Sequence, residues 1–294
     1  MIVVKLIWGL GNQLSQYAMG RRIAIKNNTK LLIDRSSFDT YTLHKYSLNH
    51  FQIQENFASK SDIPWYEIRS KNQYFDFLLN KMKPLFRVKQ HILEKGLAFQ
   101  NEYLQVQWNY IYLEGYWQTE KYFIEIEDII RDELQFKTLP SEQNQAIIDE
   151  ISSQSNTVSL HIRRGDYVTS AVSNGIHGTC DMDYYMRAVA YIAERYPGSK
   201  FYIFSDDILW TKENLILPYQ TCYIDYNDAL SNYEDMRLMS LCAHNIIANS
   251  TFSWWGAWLN KNPEKIVIAP KQWFNDSRHL AESQDIVPEK WIRL

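Results

Sequence analysis

Three short polar strings in the second half of the chain combine residue types that can do chemistry. The first is His161-Ile162-Arg163-Arg164-Gly165-Asp166. Two neighbouring guanidinium groups form a fork that holds phosphate oxygens by charge-assisted, bidentate bonds. Gly165 lets backbone approach the same anion. The string is equally compatible with Asp166 bridging one arginine as a structural ion pair. The second string, Phe204-Ser205-Asp206-Asp207, sets two carboxylates together. They can hold a divalent metal, accept hydrogen bonds from a base or ribose, or cap the helix that follows, and a cap is expected of at least one. The third is Asn249-Ser250-Thr251-Phe252-Ser253-Trp254-Trp255-Gly256. Its hydroxyls and helix-start N–H groups make a ready pyrophosphate site, although alone it reads more readily as a cap without a ligand. The three tryptophans Trp254, Trp255 and Trp258 are expected to pack the helix.

These strings must be held by the elements around them. Residues 2–8 read as a buried strand that turns through Gly9-Leu10-Gly11-Asn12 into a helix over Gln13–Lys26, followed by a strand over Thr29–Asp34. That is the start of a doubly wound α/β domain. Residues 36–108 are read as helices and loops inserted in it, with helical periodicity over Tyr74–Leu85. Ile111–Trp117 is read as a strand and Glu120–Glu133 as a helix. A boundary is expected within Thr138–Ser155, giving domains 1–150 and 151–294. In the second domain, strands Thr157–Ile162, Lys200–Phe204, Thr221–Ile224, Asn245–Ala248 and Lys265–Ala269 alternate with helices Met182–Arg195, Leu209–Leu215, Tyr233–Cys242 and Phe252–Leu259. All three strings then fall at strand ends, where ligands of such sheets bind. Arg-Arg, Asp-Asp and Ser-Thr converging without a Gly-Lys-Ser/Thr phosphate loop describe a nucleotide-diphosphate pocket. The early Gly-x-Gly lacks the third glycine of a dinucleotide fingerprint.

Composition narrows the partners. The 294 residues carry a net charge of -3, which argues against a general nucleic-acid binder and makes any anion site a local arrangement of cations. Aromatics reach 15 %, a content suited either to sugar-facing surfaces or to a tyrosine-rich core. Cys180, Cys222 and Cys242 lack the spacing of a disulfide framework or a zinc site. The apolar start is too short for a signal peptide and no long apolar run follows, so a cytoplasmic location is the expectation.

In order and spacing, Gly9–Ala18 (GLGNQLSQYA), His161–Tyr167 (HIRRGDY), Phe204–Asp207 (FSDD) and Asp235–Trp258 resemble the bacterial α-1,2-fucosyltransferases of glycosyltransferase family 11. Gly115–Phe123 and Ile286–Leu294 share the likeness. The resemblance implies an α/β, GT-B-like fold of two Rossmann-like doubly wound domains facing across a cleft. The acceptor lies mostly on the N-terminal side and the donor in the C-terminal domain. It implies GDP-β-L-fucose as donor, a galactose-terminated glycan as acceptor and inversion to an α-1,2 product. No metal or cofactor is implied. Surface polysaccharide assembly at the inner face of the membrane is the setting it suggests. By position, Arg163 and Arg164 would grip the pyrophosphate, and His161 would lie near the ribose or β-phosphate. Ser205, Asp206 and Asp207 would serve the nucleoside, with one aspartate reading guanine. Asn249 and Ser250 to Ser253 (with Thr251 and Phe252) would line the diphosphate, and Asn12 and Gln13 would stand near the fucose. Replacing either arginine by alanine should nearly abolish transfer. Asp166 and His161 are the titratable groups within the motif that could take the acceptor proton. Trp8 stands where the family usually has glycine and Ser15 where it has phenylalanine, departures on the acceptor side. A fucosyltransferase of another linkage, an NAD-using oxidoreductase and a non-catalytic nucleotide-sugar or glycan-binding protein are the rival readings.

Overall fold

A computed structural model of the chain describes residues 1–41, 43–67, 82–83, 85–86 and 90–294. The helical reading of Tyr74–Leu85 therefore falls largely outside the described residues. The chain divides into two compact units, Met1–Gln135 and Phe136–Leu294. Among the described residues, no helix is long and apolar enough to cross a membrane.

The first unit is built on β1 (Ile2–Lys5), α1 (Leu10–Lys26), β2 (Leu31–Asp34), β3 (His91–Leu93) and β4 (Ile111–Glu114). Its strands are parallel and ordered β2-β1-β4-β3. β1 and β2 are continuous apolar runs, as strands covered on both faces must be, and Ile2, Val3, Val4, Leu31 and Ile33 are fully buried. The chain order reverses between β1 and β4, so this unit's ligand crevice belongs beyond their carboxyl ends, at Trp8-Gly9 and Gly115–Gln118. The helix expected over Glu120–Glu133 is broken into two 3₁₀ turns, Glu120–Tyr122 and Ile124–Ile126, before α2 (Glu127–Glu133).

The second unit opens earlier than expected. Helix α3 (Glu142–Ser152) belongs to it and not to the first domain. The apolar stripe of this helix explains why: Ile147, Ile148 and Ile151 pack with Tyr202, Phe204 and Leu238. Its polar side joins the same unit, where Tyr202 donates to Glu150 at 2.6 Å and Asn144 exchanges amide bonds with Asn227. Strands β5 (Thr157–Ile162), β6 (Lys200–Ser205), β7 (Gln220–Ile224), β8 (His244–Ile246), β9 (Val267–Ala269) and β10 (Ile292–Arg293) form one parallel sheet, ordered β10-β9-β8-β5-β6-β7. Counted from β5 this is the 3-2-1-4-5-6 order of a Rossmann sheet. Its reversal lies between β5 and β8. Around it run α4 (Gly165–Thr169), α5 (Ala171–His177), α6 (Met182–Arg195), α7 (Ile208–Asn214), α8 (Asn232–Leu241), α9 (Thr251–Leu259) and α10 (Ser277–Glu282). Trp254, Trp255 and Trp258 are buried and pack α9 as expected.

Candidate active site

The three polar strings meet at the carboxyl ends of three adjacent strands, β8, β5 and β6. In register, His161 lies level with Phe204 and Ile162 with Ser205, so the strings emerge at the same height. Side chains then join them. The His161 ring lies 5.6 Å from Phe252, joining the first string to the third. Arg163 Nη1 pairs with Asp206 at 2.6 Å, and the Arg164 backbone N–H donates to the same carboxylate at 2.8 Å, joining the first to the second.

The two arginines differ. Arg163 bridges both Asp166 and Asp206 and lies over the Tyr167 ring. Burial works against its charge, but Asp206 and then Asp166 more than offset it, and the guanidinium stays protonated above its usual range. The structural ion pair foreseen for Asp166 is therefore present. Arg164 instead lies with its guanidinium carbon 3.4 Å from the centroid of the Trp210 ring, and its Nε donates to Asp207 at 3.2 Å. Its two terminal nitrogens have no protein partner among the described residues. Trp210 was not foreseen as a site residue, since its only sequence signal is its place in the first turn after the carboxylate pair. Asp207 caps α7 by accepting from the Trp210 N–H, the cap expected of one aspartate. Ser205 accepts from the Asp207 N–H at 3.0 Å and from the Thr211 hydroxyl at 3.0 Å, which fixes the turn itself.

Gly165 sits where a side chain cannot. A Cβ there would collide with the Asp206 carboxylate. Gly165→Ala is expected to cost about 1–3 kcal/mol by overpacking, and to weaken nucleotide binding by displacing Asp206 from Arg163 and Arg164. Thermal melting and a GDP titration check this; a variant that melts and binds like the parent would show the turn to be slack.

In the third string Ser250 caps α9 by accepting from the Phe252 N–H, and Ser253 is buried with its hydroxyl directed to the Ser250 carbonyl. Thr251 and Phe252 are half-buried at the helix start. Asn249 is turned inward. Its amide donates to the carbonyls of His177 (3.0 Å), Gly178 (3.2 Å) and Trp273 (3.2 Å), so it ties three loops together and has no donor left for a phosphate. His161 is buried and its Nδ1 lacks a partner among the described residues. Burial, and then the Arg163 charge, push its pKa down to about 3, so the ring is neutral near pH 7 and a weak proton sink.

In the first unit, Asn12 and Gln13 occupy the first turn of α1. Gln13 is fully buried: its amide donates to Trp8 O at 2.9 Å and Lys45 O at 2.8 Å and accepts from Ser47 N–H at 3.0 Å. With both N–H groups engaged it holds the turn and has none to offer a sugar. Asn12 Oδ1 accepts from Gln118 at 2.8 Å. Ser15 is buried, its hydroxyl bonded to Gly11 O at 3.2 Å. Glu67, His91 and Glu114 bring metal-ligating atoms within 4.8 Å of one another. Ammonium groups already serve them: Lys5 Nζ lies 2.8 Å from Glu67 and 2.9 Å from Glu114, and Lys83 Nζ 2.9 Å from Glu67. Two lysines thus balance two carboxylates, and the cluster reads as a structural ion network.

The model of glycosyl transferase family 11 matches residues 2–294. The chain is similar to an α-1,2-colitosyltransferase of Escherichia coli, with 33 % identity over 300 residues, covering 100 % of this chain and 98 % of that protein. It is also similar to the O-antigen biosynthesis glycosyltransferase WbnK of Escherichia coli, with 35 % identity over 302 residues, covering 97 % and 98 %. Among solved structures, a point mutant of Arabidopsis thaliana FUT1 in complex with GDP superposes with a TM-score of 0.52 at 11 % identity, covering 98 % of this chain and 74 % of that one. The α/β, GT-B-type class with two Rossmann-like units is as expected from the sequence.

Proposed function

We propose a donor, an acceptor and a mechanism for this chain, which belongs to glycosyl transferase family 11 and is a glycosyltransferase. The donor is GDP-β-L-fucose, bound in the second unit. The acceptor is the 2-hydroxyl of a terminal galactose in a surface polysaccharide of O-antigen type, and transfer inverts the anomeric centre without a metal ion. The work is done in the cytoplasm, at the inner face of the membrane. One observation carries the donor reading: Arg164, at the end of β5 where a Rossmann sheet reverses its order, has terminal nitrogens without a protein partner among the described residues.

As fucose leaves, its ring gains oxocarbenium character and the β-phosphate gains negative charge. Arg164 and the first-turn N–H groups of α9 that the Ser250 cap leaves unengaged are fixed donors for that growing charge and need not reorganise as it forms. The neutral His161 lies at this site with its ring 5.6 Å from that of Phe252 and its partnerless Nδ1 buried. Asp166 is occupied by Arg163 and His161 is a weak base, so the acceptor proton leaves late, passing to the departing diphosphate after most of the bond to it has broken.

The test is product analysis. The purified chain is given GDP-fucose or GDP-colitose (colitose is 3-deoxyfucose) with a panel of terminal β-galactosides, with and without a chelator, and the new bond is located by NMR. An α-1,2-fucosyl galactoside formed equally well with chelator is the expected product. A preference for colitose would replace the donor, and another linkage would replace the bond. No galactoside-stimulated GDP release at all would leave a binding protein.

A further inference from the structure

The crevice of the first unit holds an arrangement that donor binding does not explain. Trp8, just beyond β1, has φ of 68°. Left-handed backbone of this kind suits glycine and costs a bulky L-residue about 1–3 kcal/mol, a strain that persists only where the surroundings impose it. They do so here. The Trp8 carbonyl is held by the buried Gln13 amide at 2.9 Å. Its ring lies edge-on to Tyr41 at 5.3 Å, and its indole is close enough to the Tyr116 hydroxyl to act on it electrostatically. Tyr116 itself is carried on the turn after β4, the other lip of the crevice. Yet Trp8 remains 40 % exposed and Tyr116 37 %. Beside them the Gln118 amide donates to Asn12 Oδ1 at 2.8 Å, which leaves the Asn12 N–H groups and the Gln118 carbonyl without partners among the described residues.

Immobilised, exposed aromatic faces next to an unsatisfied amide donor and acceptor match one chemistry. A pyranose presents an apolar C–H face to stack on a ring and hydroxyls that both donate and accept. We propose that Trp8 and Tyr116 form a stacking platform for a pyranose ring whose hydroxyls are bonded by Asn12 and Gln118. That the ring is the acceptor's terminal galactose rests on the function proposed above. The strained backbone at Trp8 is retained because it aims the indole, and glycine at that position would relax the turn but remove the platform.

The probe is methyl β-D-galactopyranoside, followed by saturation-transfer NMR on the full chain. The parent should transfer saturation most strongly to the protons of the sugar's apolar face. Trp8→Gly should weaken the affinity at least ten-fold, and Trp8→Phe should fall between the two. Tyr116→Leu leaves the Trp8 backbone alone and should also weaken binding, so a Trp8→Gly chain that failed to fold would not shelter the proposal. Melting no lower than the parent's and an unaltered GDP affinity certify the Trp8→Gly chain. No transfer in the parent, or a Trp8→Gly chain that binds the galactoside as the parent does, overturns the platform. Failure of the parent to bind GDP instead overturns the donor reading, whatever the galactoside does.

Discussion

Replacing Arg164 by alanine lowers transfer by about 10²–10³-fold, the loss typical of one preorganised donor to a developing anion. Most of it falls on kcat, because the charge it meets grows in the transition state. The side chain is oriented in advance by the Trp210 face at 3.4 Å and by Asp207 at 3.2 Å, so ordering it costs little when the nucleotide binds. The same contacts are half-exposed and their loss is small, about 0.5–1 kcal/mol for the ring contact and no more for the ion pair. The Arg164→Ala chain should therefore melt close to the parent. Arg164→Lys keeps the charge but loses the planar fork and the stacking, and falls between. Arg163→Ala behaves differently. It strips Asp166 and Asp206 of their shared cation, and leaving such groups unpaired costs about 1–3 kcal/mol or more, so its loss of activity comes with a lower melting temperature. The sequence alone treats the two arginines as equals; their partners separate them. Steady-state kinetics with melting curves decide the matter. A folded Arg164→Ala chain that keeps more than about a tenth of the activity would remove this group from the transition state.

Local signals read well and long-range ones do not. Helix Met182–Arg195 is legible at both ends, because Asp181 accepts from the Tyr184 N–H and Pro197-Gly198 cannot continue it. Strands β3 and β10, three and two residues long, are too short to show any periodicity, and only their neighbours in the sheet define them. Helix α5 shows its cap at Ser170 and its stop at Gly178, where φ is 63°, but seven residues with Gly175 among them carry too little helical signal. The ladder order of the second unit joins β5 to β8 across more than eighty residues, and no composition reveals that pairing. The same limit applies to the site. Asp166 is legible as the partner of one arginine, which the structure shows to be Arg163, whereas Asp206 is not. The family likeness implies donor contacts for Gln13 and Asn249. Both are buried and bonded to backbone carbonyls, so their part is to set the loops on which half-buried neighbours such as Asn12 and Thr251 are carried.

The first unit also contains a carboxyl that should make its stability fall as pH rises. Glu94 follows β3, and its Oε2 accepts from the backbone N–H of Trp117 at 2.9 Å and of Tyr116 at 2.5 Å. Gly115 is required beside it, since a Cβ there would meet both the Glu94 side chain and the Trp117 ring. The other oxygen, Oε1, is buried without a partner among the described residues. Burial raises its pKa from 4.5 to about 7 against the two N–H bonds, which favour the ion. Between these values the unfolded chain releases a proton that the folded chain keeps. The stabilisation is therefore complete below about pH 4.5, is lost as pH rises to about 7 and is flat beyond, amounting to about 3 kcal/mol. Glu114 does not confuse the reading. Despite its burial, His91 and Lys5 lower its pKa to about 2, so its contribution is present above pH 4.5 and is lost only in more acidic solution. Asp235 in the second unit is raised by burial to about 7 and slopes in the same direction, so the comparison must be with Glu94→Gln and not with a pH series alone. That substitution removes the titrating group while keeping an oxygen for the Tyr116 and Trp117 N–H groups. Its melting curve should be flatter than the parent's from pH 4.5 to 7, and parallel to it above. Curves that stay parallel throughout would mean that Glu94 ionises as an exposed carboxylate does.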